Sequence, residues 1–203
     1  MHTQTKETQQ ALSAQNAYDM LKEGNKRFVE NKKSPRNLLD QVTATSTGQY
    51  PFAVVLSCID SRVPAELVFD QGIGDIFSAR VAGNIVNEDM LGSIEYGCKV
   101  AGSKIVVVLG HTKCGAVTAA CKGVELGNIT PLLAKIQPAV DQVRKTLPDV
   151  NETSIEKTVV ANVELTIERM RAESPILAEM EKSGEIKIVG AVYSVATGEV
   201  EFL

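Results

Sequence analysis

The sequence has no tryptophan, and its nine other aromatic residues are five phenylalanines and four tyrosines. Flat platforms for stacking bases or sugar rings are therefore scarce. Positive charge is equally thin: 21 Lys and Arg stand against 25 Asp and Glu, for a net charge of −4. Lys32-Lys33 is the densest cationic spot, which excludes an electrostatic footprint for nucleic acid. No apolar run approaches the ~18–20 residues of a bilayer-spanning helix. Residues 1–17 also lack the apolar stretch of about 7–15 residues that marks a secretory signal. The expectation is a cytoplasmic protein, or a periplasmic one were a signal segment removed from ahead of it. Histidine is nearly absent as well. His2 lies in a polar tail and leaves His111 as the only histidine inside the expected fold, so a site needing two or three histidines from one chain is excluded.

What is present suits one globular domain. The 203 residues are 44% hydrophobic and 23% charged, enough for one full-sized core. Four cysteines, Cys58, Cys98, Cys114 and Cys121, do not make a disulfide scaffold in a chain of this size. Free thiols, metal ligands or a catalytic role fit them better.

Residues 1–12 read as a polar, mobile tail. Ser13 can cap a helix carrying Ala17, Met20, Leu21, Phe28 and Val29 at helical spacing. Ser34-Pro35 breaks it, and 37–49 is loop-like with room for a short helix. From there strands and helices alternate. Residues 51–57, 75–80, 104–110 and 185–195 read as strands, and 199–203 can turn back antiparallel. Between them, 64–69 reads as a helical turn, and 87–101, 115–122, 154–173 and 175–183 as helices. Thr130-Pro131 would start a further helix towards Leu147, interrupted at Pro138. The pattern predicts an α/β fold: a mainly parallel four-stranded sheet flanked by helices, a C-terminal antiparallel edge strand and an N-terminal helical arm. The boundaries are a single domain over 1–203, with a tail at 1–12, an arm at 13–50 and the α/β core at 51–203.

Two segments fall where an open α/β sheet binds its ligands, beyond the carboxyl ends of strands. Cys58-Ile59-Asp60-Ser61-Arg62 follows the first strand, and His111-Thr112-Lys113-Cys114-Gly115 follows the third. If the two strands are neighbours, Cys58, His111 and Cys114 converge. Two thiolates and an imidazole suit Zn²⁺, and three protein ligands leave a fourth tetrahedral position for water or substrate. Cys114 also opens a helix, where the dipole favours a thiolate. A lone His-x-x-Cys, or a single cysteine after a strand, is more often ordinary core. Asp60 and Arg62 are two apart, so in extended chain they point the same way. The arginine keeps the carboxylate ionised, able to accept a hydrogen bond from a hydroxide. In isolation such a pair would be a surface ion pair of little worth.

Cys58-x-Asp60-x-Arg62-Val63 followed by Gly110-His111-x-x-Cys114-Gly115 resembles the β-class carbonic anhydrases. So do Leu21–Phe28 (LKEGNKRF), Phe77–Asn84 (FSARVAGN) and Ser93–Tyr96 (SIEY), and the likeness runs from about residue 18 to 195. The resemblance implies reversible hydration of carbon dioxide to bicarbonate and a proton. It implies Zn²⁺ held by Cys58, His111 and Cys114, with zinc-bound hydroxide oriented by Asp60, and Arg62 holding Asp60 off the metal. It assigns Gln49, Phe77, Ala82, Tyr96 and Gly115 to substrate binding, in a pocket whose walls come from two subunits. It therefore implies a homodimer with the N-terminal arm laid over its partner, able to pair into a homotetramer. Some bacterial members carry a tryptophan three residues before the first zinc cysteine, as part of an inhibitory bicarbonate site. Here that position is Val55, so a permanently open site, with water rather than Asp60 as fourth ligand, is expected. Two alternatives stay open: hydrolysis of a CO₂-like heterocumulene such as carbon disulfide, and a non-catalytic zinc or thiol sensor using Cys58 and Cys114. Cys98 reads as core, and Cys121 carries no assigned function.

Overall fold

Short β-branched runs build the sheet. In the computed structural model, which describes residues 3–203, β1 (Ala53–Ser57) and β3 (Ile105–His111) are buried at every position, as inner strands covered on both faces must be. They pair in parallel, Ser57 opposite Leu109. β2 (Ile76–Arg80) flanks β1, and β4 (Lys187–Tyr193) flanks β3, both parallel. β5 (Val200–Phe202) closes the far edge antiparallel to β4. The order is β2-β1-β3-β4-β5. From β1 the chain moves outward to β2, then crosses back over β1 to reach β3. That reversal opens a crevice beyond the carboxyl ends of β1 and β3, where the two cysteine-bearing segments emerge. His2 lies outside the described residues.

Ten helices among the described residues surround the sheet. α1 (Lys6–Ala11), α2 (Ala14–Val29) and α3 (Leu38–Thr45) precede β1, and α4 (Ala65–Val68) joins β1 to β2. α5 (Glu88–Glu95) runs into a π turn at Tyr96–Val100. α6 (Gly115–Cys121), α7 (Ile129–Leu133), α8 (Gln137–Arg144), α9 (Glu152–Glu173) and α10 (Pro175–Lys182) lie between β3 and β4.

Alternation along the strands splits the core into two layers. Val55, Ile105, Val107 and Leu109 pack against Leu21, Phe52 and Phe69 on one face. Val54, Leu56, Val106 and Val108 pack against Ile94, Val163, Ile167 and Met170 on the other. α9 lies unusually close to the second face, because Gly110 and Gly190 stand under it. A Cβ at either position would come within 2.7 or 2.8 Å of a Val163 methyl. Gly110 directly precedes His111, so this close packing fixes the end of β3.

Several boundaries depart from the sequence expectation. Residues 6–11 are not a free tail. Thr5 and Thr8 form a reciprocal cap for α1, and the buried Gln9 amide donates to the Pro51 and Ala101 carbonyls at 2.7 and 2.8 Å. The single helix expected from Thr130 is two. It starts after Asn128, breaks at 134–136 and resumes at Gln137, so Pro138 sits in a first turn, where its missing N–H is harmless. α9 starts two residues early, because Asn151 and Ser154 cap it reciprocally. The arm of α2 and α3 is tied down by the buried Asp70 carboxylate. It accepts from Arg27 Nε at 2.6 Å, from the Ser34 amide at 3.1 Å and from the Arg36 guanidinium.

Candidate metal centre

Each candidate ligand is placed by the end of an element. Cys58 is the first residue past β1, His111 the last of β3, and Cys114 the N-cap of α6. Because β1 and β3 are paired neighbours, the three side chains meet. Their donor atoms all lie within 4.8 Å of one another, and all three residues are buried. Among the described residues this is the only group of three or more such side chains placed to share an ion. The floor beneath it is apolar, with Ile85, Val117, Ile136 and Val159 packed around both cysteines.

The imidazole is oriented by its own loop. Nδ1 lies 2.9 Å from the Thr112 carbonyl, an acceptor, so Nδ1 carries the hydrogen and Nε2 presents a lone pair to the pocket. That Nε2 is buried without a hydrogen-bond partner. A buried, unpartnered nitrogen costs free energy unless something fills the gap. With two thiols beside it, a tetrahedral zinc at bond lengths of about 2.0–2.3 Å fits the donor set. The two thiols are close enough to share a proton. The hydrogen bond from Cys114 holds Cys58 well below the usual thiol range, while that contact and burial push Cys114 up. The Gly83 amide adds a further hydrogen bond to Cys58 Sγ at 3.3 Å.

Asp60 and Arg62 stand at the rim. The Arg62 guanidinium grips the carboxylate with Nε at 2.9 Å and a terminal nitrogen at 2.8 Å, and the Arg62 amide adds a third bond at 2.9 Å. The Arg62 bonds, more than any other influence, keep the Asp60 carboxyl well below the usual carboxylate range. Asp60 Oδ2 remains 3.9 Å from His111 Nε2, facing the pocket without entering it. Arg80 pins the same turn from β2, donating to the carbonyls of Cys58 and Asp60 at 3.0 and 2.7 Å.

The remaining candidates separate into two places. Ala82 is half-buried beside Gly83, next to the cysteines, and Gly115 opens α6 at the surface. Gln49, Phe77 and Tyr96 are elsewhere. Gln49 and Tyr96 line a cavity of about 500 Å³ with Tyr50 and Val100. Phe77 sits near the start of β2, opposite Val54, with its ring 6.4 Å from that of Tyr96. This is the amino-terminal end of the strands, away from Cys58. Within one chain these three residues therefore do not reach the cysteine–histidine cluster.

Cys98 is buried in the core, where desolvation pushes its thiol up to about 12. Cys121 is buried with its thiol 3.7 Å from the Thr158 hydroxyl. Val55 is fully buried under α2. Sequence reasoning missed Gly83, Arg80, Glu156 and Asn162. The last two bond to the Lys113 amide and the Gly83 carbonyl, each at 2.8 Å. Only the Gly-Asn pair at 83–84, both with positive φ, carried a local signal of a tight turn.

Residues 53–200 match the family described as carbonic anhydrase. "Carbonic anhydrase 2" of Mycobacterium tuberculosis is 35% identical over 188 residues, covering 90% of this chain and 89% of that protein. Among solved structures, the β-carbonic anhydrase CcaA superposes with a TM-score of 0.76 at 25% identity, over 92% of this chain and 91% of its own. The β-carbonic anhydrase CafA of Aspergillus fumigatus does so with a TM-score of 0.74 at 26% identity, over 81% of each chain.

Proposed function

Because the chain belongs to the carbonic anhydrase family, in its β class, we propose that it catalyses the reversible hydration of carbon dioxide to bicarbonate and a proton at a Zn²⁺ held by Cys58, His111 and Cys114. The observation that carries the reading is the buried convergence of two thiols and the unpartnered His111 Nε2 at the β1–β3 crevice. When bound, zinc supplies the Lewis acidity that makes hydroxide available near pH 7.

The chain's own groups do the rest. Asp60, kept ionised by Arg62, is placed to accept the hydrogen of a hydroxide in the pocket and so would orient its lone pair towards carbon dioxide. Arg62 occupies both carboxylate oxygens, which would hold Asp60 off a bound metal and leave its fourth position open. The Gly83 N–H stabilises the Cys58 thiolate, since a hydrogen bond to the charged form favours it. Ala82 forms a small apolar wall, and Gly115 leaves the mouth unobstructed by a side chain. Gln49, Phe77 and Tyr96 complete the pocket from a second copy of the chain, which makes a homodimer the functional unit and allows pairing into a homotetramer. Their place at the far end of the sheet supports this reading, because a single chain cannot bring them to its own metal ligands. The cytoplasm is the proposed compartment.

Stopped-flow measurement of carbon dioxide hydration, before and after zinc chelation and again after zinc is restored, tests the proposal. Turnover that disappears with zinc and returns with it is expected. A folded, zinc-loaded protein without turnover would contradict it.

A further inference from the structure

Lys113 separates two of the proposed ligands, and its backbone is left-handed, with φ of 54°. The other described non-glycine residues with positive φ are Asn31, Asp70 and Asn84, the residue types that tolerate this conformation best. Lys113 is not of those types, so a restraint from outside the turn stabilises it. The turn brings the last residue of β3 and the N-cap of α6 to face one point.

The restraint comes from forty-three residues away. Glu156, half-buried in α9, accepts the Lys113 amide hydrogen at Oε1 over 2.8 Å. The other visible tie on Lys113 is long, from the exposed Arg62 guanidinium to its carbonyl at 3.4 Å. α9 is fixed against the strands by the close approach over Gly110 and Gly190. It also holds the other half of the site. Asn162, two turns on, donates to the Gly83 carbonyl at 2.8 Å, and the Gly83 amide faces Cys58 Sγ.

We infer that Glu156 is a positioning residue for the metal centre: its carboxylate oxygen holds the Lys113 amide in the left-handed turn that aims His111 and Cys114 at one ion. The inference rests on the zinc site proposed above. It acts through hydrogen bonding and geometry, not through contact with metal or substrate.

The test is the rate at which the zinc-loaded protein releases zinc to excess chelator, with the zinc content of the starting protein measured first. Partners behind metal ligands typically set affinity by about 10–100-fold, so Glu156→Ala should release zinc at least about tenfold faster. Glu156→Gln keeps an oxygen at the same place and should stay close to the unsubstituted rate. Adding Lys113→Gly to Glu156→Ala removes the backbone strain and should recover most of the loss. Cobalt-substituted Glu156→Ala should show a shifted thiolate charge-transfer band, which a general loss of stability would not produce. Release from Glu156→Ala at the unsubstituted rate would overturn the inference alone. Equal acceleration in Glu156→Gln would also overturn it, by making the charge the active property. Unsubstituted protein that holds no zinc would overturn the site reading and this inference together.

Discussion

Cys58, His111 and Cys114 could be picked out of the sequence because each stands at the end of a strongly apolar or β-branched run, and chemistry clusters at such ends. Their convergence follows from the β1–β3 pairing, which a sequence can suggest but not prove. Arg80, Glu156 and Asn162 could not be picked out. Each works through a backbone group twenty or more residues away, and a polar side chain on a helix or strand gives no sign of its partner. Replacing either proposed cysteine ligand by serine substitutes a neutral hydroxyl for a thiolate, a poor exchange at a soft metal site. Cys58→Ser and Cys114→Ser should each lose most bound zinc, as measured by atomic emission on purified protein; full occupancy in both would remove them from the site. Asp60→Asn should keep its zinc and lose on the order of a hundredfold or more in turnover, because the amide replaces half of the acceptor carboxylate with a donor. Unchanged carbon dioxide hydration in that variant would exclude Asp60 from the mechanism.

The elements most visible in the sequence were those with uniform character: β1 and β3 from their apolar runs, and α2 from Ser13 and its apolar spacing. α1 was missed because its six residues are almost all polar, and its stability comes from a threonine cap and from Gln9 reaching under the sheet. The break before α8 was misplaced because proline inside a helical pattern reads equally as an interruption or a first turn. The π turn at Tyr96–Val100 has no local signature, though it begins at Tyr96, which lines a cavity with Gln49. The approach of α9 to the sheet gives a direct test of packing. Gly110→Ala would drive a methyl to 2.7 Å from Val163 and 3.1 Å from Val159. Overpacking of this kind costs about 1–3 kcal/mol, so a denaturant midpoint lowered accordingly is expected. An unchanged midpoint would mean that α9 yields freely.

For the molecule as a whole, the arm and the α/β core meet at Asp70. Burial alone would raise the pKa of its carboxyl, but hydrogen bonds from Arg36 and Arg27 outweigh burial and hold it down at about 2. The ordinary unfolded value is about 3.9. A depressed folded pKa contributes stability above the unfolded value, and that contribution is lost as the pH falls through the folded one. The clamp should therefore act fully at neutral pH and fade between about pH 4 and pH 2. Asp70→Asn should be less stable at pH 7 and show a shallower loss of stability over that acid range, by circular dichroism during denaturant titration. Equal slopes would mean that the clamp contributes nothing. The separation of Gln49, Phe77 and Tyr96 from the cysteine–histidine cluster makes a further demand: the active species should be at least a dimer by light scattering, and a fully active monomer would refute the two-chain pocket.

The most direct measurement is zinc K-edge X-ray absorption on the zinc-loaded protein near neutral pH, with Cys58→Ser alongside. Two sulfur neighbours at about 2.3 Å, one imidazole nitrogen and one light oxygen atom are expected, with the sulfur count halved in any zinc retained by the variant. Zinc with no sulfur neighbours, or a sulfur count unchanged by Cys58→Ser, would contradict it.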